Sequence, residues 1–358
     1  MDQWQGAARS RGAPRFKPIL VSDPPALHSS FRPALERMGL LAPGDTLRLE
    51  PLTGGVASDI FRVDLPRGPI CVKRALAKLK VAADWRAPVE RNQFEVEWMR
   101  VAATVVPAAV PAILGEDRAA GMFAMAYLDP ATHPVWKTQL RDGAVDAGIA
   151  REVGRRLARI HSHTAADPSM PARFDTDRIF MPIRLEPYLG ATALAHPDCA
   201  AALTALIDAT RSNKRALVHG DVSPKNILAG PNGPVFLDAE CAWYGDPAFD
   251  VAFCLNHLLL KCVWRPNSWV SLLHSFSALY QTYLAGVDWE PPAVLEARAA
   301  RLLPGLFLAR IDGKSPVEYI VDERDRAKVR RVARHLLLNP VEQLAAVREA
   351  WRADIAKW

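Results

Sequence analysis

The apolar positions of this chain change period part-way along. Up to about residue 128 they fall in short runs, Thr46 to Leu52, Ile60 to Leu65, Pro69 to Arg74 and Met122 to Leu128, which predict strands. Pro66-Arg67-Gly68 turns the second run into the third, and Asp129-Pro130 closes the fourth. Ahead of them, Ser29 or Ser30 is placed to cap a short helix through Leu35 and Met38, ended by Gly39. Between the third and fourth runs, Glu90 to Ala103 predicts a helix stopped before Pro107, with Phe94, Met99 and Val101 on a rough apolar face. Past residue 129 the pattern is mostly helical. Ile149, Val153, Leu157 and Ile160 recur at helical spacing, Phe249 to Val263 is apolar enough to be buried all round, and Ser271 to Leu284 and Pro340 to Trp351 read as further helices. One stretch interrupts them. Arg215 to Val218 is an apolar run leading into a loop, Asn232-Gly233 is a tight hairpin turn, and Val235 to Leu237 is a strand. The chain therefore divides into an N-terminal extension with a short helix (1–40), a strand-rich lobe (41–128) and a helix-rich lobe (129–358).

Composition narrows the classes. A chain of 358 residues, half of them hydrophobic, can bury a substantial core. The five cysteines, Cys71, Cys199, Cys241, Cys254 and Cys262, have no CxxC spacing, which fits a reduced, cytoplasmic protein without structural zinc. No run of apolar residues is long enough to span a membrane, and no basic-then-apolar signal opens the chain. No nucleic-acid motif is present. The net charge of +6 fits an anionic ligand such as a nucleotide, and equally a solvated basic surface. Nothing in the sequence speaks to oligomeric state.

The stretch HGDVSPKNIL, His219 to Leu228, carries the chemistry. Asp221 and Asn226 flank the loop ahead of the hairpin, and the second hairpin strand ends at Asp238, so all three are expected at one end of that hairpin. Oxygen-bearing side chains gathered in a loop suit a hard cation such as magnesium, plus a base. Phosphoryl transfer from a nucleotide needs a base, metal ligands, a lysine on the phosphates and a loop over them. Each has a candidate in the order a kinase-like fold requires. Thr53-Gly54-Gly55-Val56-Ala57-Ser58, between two predicted strands, would cover the phosphates, with Gly54, Gly55 and Ser58 against them. Lys73, inside the apolar run ICVKRA, needs a phosphate or carboxylate partner. Glu95 and Glu97 lie on the next helix, and either can pair with Lys73, Glu95 being preferred. Asp221 would accept the proton of the substrate hydroxyl. Asn226 and Asp238 would hold magnesium, and Glu240 a second metal or a metal-bound water.

HGDVSPKN, followed by FLDAE and YGDPAFDVA, resembles the aminoglycoside phosphotransferase and choline kinase group of small-molecule kinases over roughly residues 45 to 260. A finer likeness is to the 5-methylthioribose kinase family. VKRALAKLKVAADWRAPVERNQFEVEW is similar to its lysine strand, tryptophan loop and glutamate helix, MAYLDP to its hinge, and ARIDGKSPVEYI to the segment carrying a substrate-binding arginine pair. The departures are Asn226 in place of a serine-type residue, Ala239 in place of a proline, and Ala309 beside the single remaining Arg310.

The resemblance implies an α+β, protein kinase-like two-lobe fold: an N-lobe of antiparallel sheet plus helix that binds nucleotide, and a mostly helical C-lobe that carries catalysis and substrate. It implies ATP between the lobes, with main-chain groups of Ala126 and Leu128 on the base and Met125 behind it. His219 would hold the catalytic loop and Asp250 would anchor it from the apolar helix. Gly220 would let the backbone turn so that Asp221 projects into the cleft. Arg310 and Trp85 would meet the acceptor, a small molecule with a hydroxyl. Only eleven residues separate Asp238 from Asp250 and no Ala-Pro-Glu follows, which disfavours a protein kinase. A sugar or polyol suits Arg310. An aminoglycoside or amino-alcohol is the alternative, and an inactive nucleotide-binding pseudokinase is the reading from a different class.

Overall fold

The computed structural model describes residues 24–52, 57–78 and 88–355. Gly54, Gly55 and Trp85 lie outside them.

The strand-rich part is one antiparallel sheet. Its strands are β1 (Leu49–Pro51), β2 (Ser58–Leu65), β3 (Gly68–Ala75), β4 (Ile113–Asp117) and β5 (Met122–Ala126), in the order β1-β2-β3-β5-β4. The β2–β3 hairpin closes through Pro66-Arg67, with Leu65 opposite Gly68, whose φ of 108° no bulkier residue adopts easily. Both faces of the sheet are covered, which is why β3 reads as a continuous apolar run. On one face Phe61, Val63, Ile70 and Val72 form a small core with Phe31, Ala34 and Leu35 of the helix Pro24–Arg37. Phe31 meets Phe61 edge-on at 5.0 Å. Full burial of such a ring stabilises by about 1.5–3 kcal/mol. The helix expected in the N-terminal extension is thus part of this lobe's packing. The alternate residues of β3, Cys71 and Lys73, face the other way, where Phe123 and Met125 of β5 belong to the main core.

Three boundaries differ from expectation. The first helix begins at Pro24, so Ser29 and Ser30 lie inside it and do not cap it; paired prolines suit a first helical turn. The first strand shrinks to Leu49–Pro51. The last helix runs Leu344–Ile355 rather than from Pro340, and Glu296 of another helix accepts from the Leu344 N–H at 2.9 Å. β4 has no counterpart among the predicted strands. A register shift between Ile113 and Gly115 breaks its alternation.

The chain leaves the sheet at Ala126 and enters the helical part at Trp136–Arg141. The helix Ala248–Trp264 is the centre of that part and is buried along almost its whole length. The helices Trp269–Leu284 and Ala147–Ala165 cross so closely that a Cβ on Gly154 would stand 2.3 Å from the Leu279 carbonyl. Two small strand pairs are set into the helices: β6 (Ala216–Val218) with β9 (Trp243–Gly245), and the hairpin β7 (Ile227–Gly230) with β8 (Gly233–Phe236). Among the described residues no helix is long and apolar enough to cross a membrane.

Candidate active site

β6 delivers the chain into the loop that begins at His219, and β7 takes it away. Two carboxylate hydrogen bonds fix the start of that loop. Asp250, on the first turn of Ala248–Trp264, accepts from the N–H of His219 at 2.7 Å and of Gly220 at 2.9 Å. His219 braces the loop from inside. Its Nδ1 accepts from the Asp221 N–H at 3.1 Å, and its Nε2–H donates to the Leu237 carbonyl at 3.1 Å. Burial lowers its pKa, and that donor–acceptor pattern is the one a neutral ring makes. Gly220 has a φ of 79°, and a Cβ there would lie 2.8 Å from the Cys241 carbonyl. The position has neither the conformation nor the room for a side chain.

Asn226 and Asp238 meet at the open end of the β7–β8 hairpin, where the Leu237 N–H donates to the Asn226 carbonyl at 2.9 Å. The Asn226 amide nitrogen donates to the Asp221 carbonyl at 3.1 Å, which leaves its side-chain oxygen to face elsewhere. Asp238 takes a left-handed φ of 68°, the only non-glycine residue with positive φ among those described. That conformation costs an L-residue about 1–2 kcal/mol and persists only where the surroundings demand it.

One helix reads this loop from the opposite lobe. Arg91, Glu95 and Trp98 of Arg91–Val105 stand at i, i+4 and i+7, on one face. Glu95 clamps Lys73 Nζ with both oxygens, at 2.9 and 2.7 Å, and Asp238 contacts the same ammonium. Burial works against the charge on Lys73, but Asp238 and then Glu95 outweigh it and hold the ammonium firmly protonated. Trp98 packs edge-on against His219 at 4.7 Å. Arg91, fully buried, donates to Glu240 at 2.9 Å and to the carbonyls of Ala57 and Leu76 at 2.5 and 2.8 Å. Glu240 is therefore held by an arginine of the other lobe. Glu97 points away and pairs with Arg100 and Arg173 at the surface.

Between the lobes lies a cleft of about 320 Å³. Lys73, Glu95, Asn226 and Asp238 form its polar end, and Leu52, Ile60, Met125, Leu228 and Leu237 its apolar walls. Ala126, Tyr127 and Leu128 edge it. The Ala126 N–H is spent on the Ala112 carbonyl at 2.8 Å, which leaves that residue's carbonyl as its remaining main-chain group. Ser58 is buried at the start of β2. Arg310 is not on this cleft. It is buried in the helical part, donating to the Tyr188 hydroxyl at 3.3 Å and to the Ser315 hydroxyl at 2.8 Å.

Two residues beside Asp221 are absent from the sequence-based set. Arg184 Nη2 lies 2.9 Å and Lys225 Nζ 3.1 Å from Asp221 Oδ2. Burial alone would raise the Asp221 pKa, but Lys225 and then Arg184 bring it below the usual carboxylate value. Lys225 is visible in the sequence as a basic residue four positions after Asp221. Arg184 has no local signal. It sits in an unusual ten-residue π-helical stretch, Met181–Gly190, that contains Pro187.

Residues 48–295 match the phosphotransferase enzyme family. The chain belongs to that family. It is 24% identical over 260 residues to the methylthioribose kinase of Pectobacterium carotovorum and 26% identical over 260 residues to that of Cronobacter sakazakii. In both cases 64% of each chain is covered, so the chain spans about 64% of the length of these relatives. Two solved structures share the fold. One is an amicoumacin kinase in complex with AMP-PNP, Ca²⁺ and Ami (TM-score 0.54, 11% identity, 90% of this chain and 98% of that one). The other is an ethanolamine kinase of Plasmodium vivax (TM-score 0.53, 10% identity, 94% of this chain and 89% of that one). The fold is thus the protein kinase-like one of small-molecule kinases.

Proposed function

We propose that the protein is an ATP- and magnesium-dependent phosphotransferase that moves the γ-phosphate to a hydroxyl of a small molecule, a sugar or polyol. The observation that carries the reading is the polar end of the cleft. A buried lysine, held charged by Glu95 and Asp238, faces the same space as Asn226, and Lys225 on that wall touches Asp221.

The residues fit the cofactors. Asn226 and Asp238 offer the hard oxygen donors a divalent cation takes, and Asp238 keeps 30% of its side chain exposed at the cleft. Among the described residues no three His, Cys, Asp or Glu side chains gather to enclose a metal, so phosphate and water oxygens would complete the shell. Magnesium, when bound, neutralises phosphate charge. Glu240 is left out of this set because Arg91 holds it. Lys73 would meet phosphate oxygens. The adenine would lie on the apolar wall at Met125, with the Ala126 carbonyl and the Leu128 main chain at its edge. Asp221, ionised and aimed by Arg184, would orient the acceptor hydroxyl and take its proton. Lys225 would stand beside the transferred phosphoryl group, where a fixed cation offsets charge. Arg310 is assigned to the acceptor.

Two observations bear on the alternatives. Arg184 and Lys225 flank Asp221 with positive charge, which disfavours a cationic aminoglycoside or amino-alcohol. An inactive nucleotide-binding module has no need of Lys73, Asp221 and Asp238 together. Calorimetry with ATP, with and without magnesium, tests the reading. Magnesium-dependent binding is expected, and the absence of ATP binding under both conditions rejects it.

A further inference from the structure

Below the Asp221 loop the helical part holds a second concentration of charge, and this one is not balanced. Lys261, on Ala248–Trp264, is buried with only 1% of its surface exposed. Its ammonium lies over two aromatic rings, 4.5 Å from the centroid of Tyr319 and 4.8 Å from that of Trp264. It makes no ion pair or hydrogen bond with any described residue. The carboxylate closest to hand, Glu318, is already paired with Lys137. One turn back on the same helix is His257, also buried, and from the neighbouring helix comes Arg310. Three buried polar atoms in this group have no hydrogen-bond partner: His257 Nε2, Arg310 Nε and the Tyr319 hydroxyl.

Buried charges are normally paired, and buried polar atoms are normally hydrogen-bonded. A lysine, an arginine, a histidine and a tyrosine that converge without a free carboxylate depart from both rules in the same place. Burial first, then Lys137 and Arg310, push the Lys261 ammonium down to about 7, against the pull of Glu318. Burial first, then Arg310, Lys261, Lys225 and Lys137, lower His257. A bound anion removes the cost of all four groups at once. The cluster also lies in line with the catalytic loop. Asp250, which holds that loop, shares the helix with His257 and Lys261. At 1.5 Å per residue these stand about 10 and 16 Å further along the axis. Tyr188 bridges the two regions, with the Arg184 guanidinium 5.9 Å and the Arg310 guanidinium 5.7 Å from its ring.

We infer that the acceptor is an acid: a hydroxyl compound of about sugar size whose carboxylate or phosphate, at the end away from the reacting hydroxyl, is received by Lys261, His257, Arg310 and Tyr319. This rests on the phosphotransferase reading and narrows its substrate class.

The experiment compares matched acceptors. D-Ribose 5-phosphate, D-gluconate and D-glucose 6-phosphate are each assayed beside their neutral parents, with glucosamine and ethanolamine as cationic members, by ATP-dependent transfer followed with ³¹P NMR. An anionic member is expected to be phosphorylated with a KM at least about tenfold below its neutral parent, as one good charge-assisted contact allows. Lys261→Met should raise that KM about tenfold and leave the KM for ATP unchanged. In parallel, the same three acids are titrated calorimetrically into protein whose cleft is saturated with magnesium–AMP-PNP. Binding should be lost in both Lys261→Met and His257→Asn, so the answer does not depend on one variant folding. Turnover of a neutral or cationic acceptor in preference to the acids overturns the inference and leaves the phosphotransferase reading standing. Failure of all three acids to bind, or equal binding by wild type and both variants, overturns it too. Acid binding that needs Lys261, in a protein that neither binds nor cleaves ATP, supports the cluster and rejects the phosphotransferase reading.

Discussion

The two charged regions of this protein are built on opposite principles. Around Asp221 every buried ion has a partner. Lys73 has Glu95 and Asp238, Arg91 has Glu240, and Asp221 has Arg184 and Lys225. Around Lys261 the cations outnumber the carboxylates, and the one acid among the described residues there, Glu318, is engaged with Lys137. The first region holds its geometry in isolation because its charges neutralise one another across the two lobes. The second keeps an electrostatic deficit that a ligand can fill.

Substitutions sharpen the contrast, and the largest effect belongs to the balanced region. Asp221→Asn keeps the size and removes the charge. General base catalysis contributes about 10²–10⁴-fold, so turnover should fall by at least the lower figure. Nucleotide affinity should barely move, because the cleft is lined by Lys73, Asn226 and Asp238. Rates and ATP binding measured side by side decide this, and near-normal turnover with intact binding removes Asp221 from the base role.

Next in size is Arg91→Met. It leaves Glu240 buried without its partner, and breaking a buried pair from one side costs about 3–5 kcal/mol. Denaturant unfolding should show that loss, and Glu240→Gln in the same background should recover part of it. A loss well under about 1 kcal/mol, the worth of an ordinary surface pair, means that the interlobe pair does not support the structure.

The same kind of change in the unbalanced region should act in the opposite direction. Lys261→Met removes an uncompensated cation and should raise the Tm by about 2–4 °C, the shift that about 1 kcal/mol produces in a large domain. The sign with pH follows from proton counts. Lys261 is lowered from 10.5 to about 7 in the folded protein, so between those values the unfolded chain holds more protons. Wild-type stability from this group therefore rises with pH across that window. The advantage of Lys261→Met should be greatest below pH 7 and fade toward pH 10.5. The groups around Lys261 are His257 on its own helix, Lys137, Glu318, Tyr319 and Arg310, and only Glu318 opposes the shift. A Tm gain that does not vary with pH sinks the account.

Much of the candidate site is legible in the sequence because its parts are local. His219, Gly220, Asp221 and Asn226 sit in one loop, and Asp238 follows one hairpin later. The Asn232-Gly233 turn signals that the two ends of the hairpin return to each other. The choice between Glu95 and Glu97 is different, because sequence spacing expresses a preference there and packing makes the decision. A helix turns about 100° per residue, so two residues separate a carboxylate that faces the sheet from one that faces solvent. Proximity along the chain also groups Glu240 with Asn226 and Asp238. In the folded protein Glu240 also accepts from Arg91, and that contact depends on a helix packed from the other lobe.

What the sequence determined alone is the change from strand-rich to helix-rich chain, the hairpin that follows the loop bearing Asp221, and that loop itself. These follow from backbone periodicity and turn chemistry, which act over a few residues. What only the tertiary structure decided is the sign of the charge at each point. Arg184 reaches Asp221 from the π-helical stretch, Arg91 reaches Glu240 across 149 positions, and Lys261 meets Tyr319 from another segment. Those contacts leave no local period, because they are set by how helices pack and not by how the chain turns.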